Sequence, residues 1–132
     1  GVSGRVAISL LTLASIVLML GPARAAPNST LWVLSVGVSS YRDPSMNLAF
    51  AEKDARAVAT ALAEQAERRI YGKVESRVLA DAEVTRASIL AAIRSFIERA
   101  GPDDVAVLFM AGHGVRDLLT GTYYFLPHDA TG

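Results

Sequence analysis

Residues 31–38, LWVLSVGV, run apolar with one serine, the pattern of a strand covered on both faces. SSYRDPS breaks that run with serine, aspartate and proline. From Leu48 the apolar positions fall at Leu48, Ala51, Ala55, Val58 and Leu62, a 3-4-3-4 spacing that predicts an alanine-rich helix to about Gln65. In KVESRVLA, residues 73–80, Val74, Ser76 and Val78 alternate with Glu75 and Arg77, which suits a half-exposed edge strand. Thr85 is a good N-cap, with Val84 and Ile89 placed as a hydrophobic staple, so a second helix is expected to run to about Arg99 and bury Ile89, Ile93, Phe96 and Ile97. GPDD then leads into VAVLFM, residues 105–110, a second buried-type strand, and TYYFLP reads as a short β segment.

The order is β-α-β-α-β, with two strands apolar on both faces. It predicts an α/β fold: a parallel-rich sheet, right-handed crossovers and helices on both sides. Ligands of such sheets bind beyond the carboxyl ends of the strands. His113, three residues past Met110, falls at that edge.

The first 27 residues are of another kind. Arg5 precedes a 15-residue apolar run, Val6 to Leu20, followed by Gly21-Pro22 and by Ala23-Arg24-Ala25, a small-x-small cleavage pattern. This is the layout of a signal peptide over residues 1–25, and the expected destination is periplasmic or secreted. A retained anchor, the only membrane contact foreseen, would need about 20 apolar residues. The domain proper is then residues 31–132.

Composition narrows the chemistry. Lys plus Arg and Asp plus Glu balance at 13 each, with the basic residues scattered, so nothing favours nucleic acid or anionic lipid. The 132 residues hold no cysteine, which removes disulfides, thiolate metal sites and a cysteine nucleophile from this chain. The sequence calls for no cofactor and no metal.

In AGHGV the histidine stands between Gly112 and Gly114. Two readings are open. The glycines could serve a tight turn with His113 solvated. Alternatively, the turn aims an imidazole of pKa near 6.5 into a crevice, with the Gly114 N–H beside it as an oxyanion donor, a pairing suited to acyl transfer. No nucleophile accompanies it. Ser35 is expected inside a strand, and Ser39 and Ser40 at its end lack the G-x-S-x-G context of a nucleophile elbow.

Residues 31 to about 130 resemble the caspase-like cysteine peptidases, including metacaspases and their bacterial relatives. The resemblance rests on G-V-x-x-Y at Gly37–Tyr41, on Asp54-Ala55 in the first helix, on the strand leading into His113-Gly114, and on YYFLPHDAT. It implies an α/β/α sandwich incomplete at its C-terminal end, with the edge of 105–110 left open for a further strand. It also implies a cysteine endopeptidase acting on peptide or protein substrates. His113 is then the general base and acid of a Cys–His dyad, and the Gly114 N–H is part of the oxyanion hole. Caspases place the catalytic cysteine about 50 residues after the histidine, whereas 19 residues follow His113 here. Asp54 is expected to fix the loop after the first strand, His128 to be a solvated turn residue, and Tyr41 and Trp32 to serve packing. Leu48 stands where caspases that cut after aspartate carry an arginine. An inactive, peptide-binding relative and a serine hydrolase with its elbow downstream are the alternatives.

Overall fold

In a computed structural model, which describes residues 8–21, 28–67 and 71–131, the chain forms one sheet with a helix on each face. The strands are β1 (Ile8–Leu20), β2 (Thr30–Gly37), β3 (Lys73–Ala80), β4 (Val105–Asp117) and β5 (Tyr123–Phe125). The helices are α1 (Ala51–Glu67) and α2 (Arg86–Arg99). Sheet order is β1-β4-β2-β3, and β5 adds to the far end of β4. β2 pairs in parallel with both β3 and β4, so the expected parallel core is present and β3 lies at an edge.

Side-chain alternation along the parallel strands separates two layers. Leu34, Val36 and Met110 pack with Ala92, Ile89, Ile93 and Phe96 of α2. Phe109 and Ala111, one residue out of step, pack with Ala51, Ala55 and Val58 of α1 on the other face. This follows from the period of two in a strand, which sends neighbouring side chains to opposite faces. β2 is buried along almost its whole length because it takes a helix on each side.

The second helix begins as its sequence predicts. Thr85 Oγ1 accepts the Ser88 N–H at 3.0 Å, and Ser88 Oγ accepts the Thr85 N–H at 2.9 Å, a reciprocal capping box. The first helix starts at Ala51, three residues later than the apolar spacing suggests. Its first turn closes with the Asp54 N–H on Phe50 O at 2.8 Å, while the Leu48 N–H donates to Ser39 O at 2.7 Å in the preceding loop. At the opposite end of the sheet, Asp104 accepts Thr30 N–H, the Trp32 indole N–H and Gly101 N–H. Those donors hold its carboxyl below the usual range.

Two expectations are corrected. The strand expected to stop at Met110 continues through Gly112, His113 and Gly114 to Asp117, so the glycines stand in a strand and not in a tight turn. Gly112 serves close approach: a Cβ there would lie 2.9 Å from Tyr41 Oη and 3.0 Å from the Phe125 ring. The β4 edge expected to be open is also covered. Ile8–Leu20, an apolar segment expected to be a leader, pairs with it antiparallel from Ile8 opposite Asp117 to Leu20 opposite Ala106. The register slips between Leu11, opposite Gly114, and Ala14, opposite Gly112, so the irregularity faces His113. Val17, Leu18 and Met19 are 66%, 46% and 64% exposed, so β1 is largely uncovered at these positions. Among the described residues no helix is long and apolar enough to cross a membrane. Arg5 and Ala23-Arg24-Ala25 lie outside the described residues.

Candidate active site

The carboxyl ends of β2 and β3 and the middle of β4 meet around His113. Its backbone belongs to β4 and its side chain is buried, 6% exposed, so it is no solvated loop residue. Contacts with other described residues fix it. Its N–H donates to Tyr41 Oη at 2.8 Å, its carbonyl accepts the Leu126 N–H at 2.9 Å, and Nε2 lies 2.6 Å from Met46 O. A carbonyl only accepts, so Nε2 carries a proton in this arrangement, and Nδ1 is the basic nitrogen of the neutral ring. The Tyr41 and His113 rings also stack obliquely, with centroids 5.2 Å apart.

Tyr41 therefore does more than pack. While accepting from His113, its hydroxyl donates to Leu126 O at 3.1 Å, tying β4 to the chain after β5. Burial pushes its phenol above the ordinary range; the His113 N–H opposes this and the nearby Asp81 charge adds to it. The neutral hydroxyl that results is the form able to donate and accept at once.

The loop after β2 carries two of the groups that hold His113, the Tyr41 hydroxyl and the Met46 carbonyl. Its Pro44–Met46 segment is a 3-10 turn capped by Asp43, whose carboxylate accepts the Ser45 N–H at 3.0 Å. Asn47 Oδ1 accepts the Tyr41 N–H at 2.8 Å across the loop. The base of the loop rests on Asp81, whose carboxylate accepts the N–H groups of Ser39 and Ser40 at 2.8 and 2.9 Å. That role was expected of Asp54, which instead sits exposed in the first turn of α1, where its charge suits the helix N-terminus.

His128 is also held, against expectation. Nδ1 lies 2.6 Å from Ser40 O, its carbonyl accepts the Arg42 N–H at 3.0 Å, and its N–H donates to Val84 O at 2.9 Å. Both histidines thus direct a ring nitrogen at a carbonyl of one loop. The serines have structural tasks: Ser35 donates to Ala55 O at 2.6 Å, and Ser39 Oγ accepts the Glu52 N–H at 2.9 Å at the start of α1. Leu48 is half-buried, within the apolar cluster under this loop. Gly114 is buried in the ladder, opposite Phe125 of β5 and Leu11 of β1.

A family model describing the caspase domain matches residues 30–131, the stretch whose resemblance to caspase-like peptidases the sequence shows. The chain belongs to the caspase-domain family. No curated protein matches it. No solved structure matches it. As a member of a peptidase family, the caspase domain acts on protein or peptide substrates. Within it the G-V-x-x-Y stretch acquires a physical reading. Gly37 lets α1 start against the strand, Val38 is buried in the core, and Tyr41 reaches His113.

Proposed function

We propose that this caspase domain works in a cysteine endopeptidase, with His113 as the general base and acid of a Cys–His dyad whose thiol lies outside the 132 residues. The observation that carries the reading is the His113 Nε2 contact with Met46 O. It supports a ring that presents Nδ1 to a thiol. Nδ1 takes the thiol proton, the thiolate attacks the substrate carbonyl, and the imidazolium returns the proton to the leaving amine. The Gly114 N–H contributes to the oxyanion hole. The experiment is peptide hydrolysis by a protein carrying this domain with its nucleophile, challenged with thiol-directed and serine-directed reagents.

Export belongs to the same reading. Loss of residues 1–25 takes β1 away and uncovers the β4 edge at Gly114, on which oxyanion binding depends. Amino-terminal sequencing of the protein expressed with a supplied start codon is expected to begin at Ala26. Recovery of the intact chain from the cytosolic fraction would contradict export.

A further inference from the structure

Asp81 is the non-glycine residue with a positive φ among the described residues, at 48°. An L-residue enters this left-handed region at an energetic cost that asparagine and aspartate bear best. Such strain persists where the surroundings hold it, and it raises the question of what it serves. β3 ends at Ala80, directly opposite Gly37 in the parallel register, so the chain leaves β3 beside the start of the Ser39–Leu48 loop. From there one carboxylate oxygen takes two successive N–H groups, those of Ser39 and Ser40.

Those two residues close the base of the loop that holds His113. Ser39 O accepts the Leu48 N–H, which fixes the span of the loop. Tyr41, the next residue after Ser40, supplies the hydroxyl under the His113 N–H. Met46, two residues before Leu48, supplies the carbonyl on Nε2. We propose that Asp81 is the positioning residue of the site, and that its carboxylate anchors the Ser39–Ser40 backbone so that Tyr41 and Met46 aim the His113 ring. The proposal rests on the dyad reading of His113. Asp81 acts through the loop, by way of the Ser39 and Ser40 N–H groups. His128, on Ser40 O, braces the same turn from the other side.

Two substitutions separate its parts. Asp81→Gly keeps the left-handed backbone without strain and removes the acceptor. Asp81→Asn keeps an oxygen acceptor and tolerates the same backbone. The first readout is amide hydrogen exchange in the 132-residue chain, with Val33 and Val107 in the sheet as the control for folding. Asp81→Gly is expected to speed exchange at Ser39, Ser40 and His113 by about tenfold or more while the sheet amides hold, as expected of a local opening. Asp81→Asn is expected to stay within about threefold of the parent. If Asp81→Gly loses the sheet protection, Asp81→Glu, which displaces the carboxylate by one methylene, takes its place.

The second readout is hydrolysis by the protein carrying the nucleophile. Asp81→Gly is expected to lower kcat by about tenfold with KM nearly unchanged, because a misaimed base costs rate and not substrate contacts. Asp81→Asn is expected to recover most of the loss. Unchanged His113 exchange in Asp81→Gly, or no recovery with Asp81→Asn, overturns the proposal. A parent protein without hydrolysis would defeat the dyad reading instead, and the exchange result would still decide whether Asp81 holds His113.

Discussion

Replacing His113 by alanine is expected to cut peptide hydrolysis by about 10²–10⁴-fold in the protein that carries the nucleophile. The imidazole serves twice in the proposed cycle, first taking the thiol proton and later protonating the leaving amine. Tyr41 cannot take over, since its hydroxyl is committed to Leu126 O. His113 is buried, so circular dichroism and thermal melting must show that the variant keeps its fold. His128→Ala is the informative partner. It removes one contact to Ser40 O and leaves the His113 ring on Met46, so its effect is expected to stay below about tenfold, the worth of one hydrogen bond. Near-full activity in His113→Ala would reduce this residue to a strand residue between two glycines.

Gly37→Ala is expected to destabilise the domain by about 1–3 kcal/mol, the usual cost of forcing extra volume into a packed interior. The added methyl would stand 2.5 Å from Ala51 O, 2.7 Å from Ala55 Cβ and 2.9 Å from Glu52 Cα. Two of those three atoms are backbone, and the third is the whole side chain of a fully buried alanine. Relief therefore needs α1 to shift as a body away from β2. Since whole domains are held by only about 5–15 kcal/mol, the loss is expected to appear as a clear fall in melting temperature. Gly37→Val is expected to do worse. An unchanged melting temperature would mean that α1 has room to move and that the close helix–strand contact is not required.

The local patterns were enough for β2, β3, α2 and the parallel order. Each has a periodicity or a cap written within a dozen residues, such as Thr85 and Ser88 at the start of α2. His113 was also legible, from the apolar run before it and the glycines beside it. The glycines misled about backbone form, because a glycine that admits a neighbour and a glycine that permits a turn look alike in sequence. Only the approach of Tyr41 and Phe125 to Gly112 distinguishes them. The strand at Ile8–Leu20 was hidden for another reason: a continuous apolar run lacks the period that separates strand from helix or leader. Asp81, Tyr41 and His128 owe their roles to partners 41, 72 and 88 residues away in the chain. The one local hint was an aspartate directly after a strand, a residue type that tolerates the left-handed backbone found there.

The most direct test of the central claim is the reagent class that stops hydrolysis. A small methanethiosulfonate is expected to abolish cleavage of an unstructured peptide by the protein carrying this domain and its nucleophile. Dithiothreitol is expected to restore it, and a fluorophosphonate to leave it untouched. Loss of activity to the fluorophosphonate, with indifference to the thiol reagent, would contradict the account and assign the nucleophile to a serine.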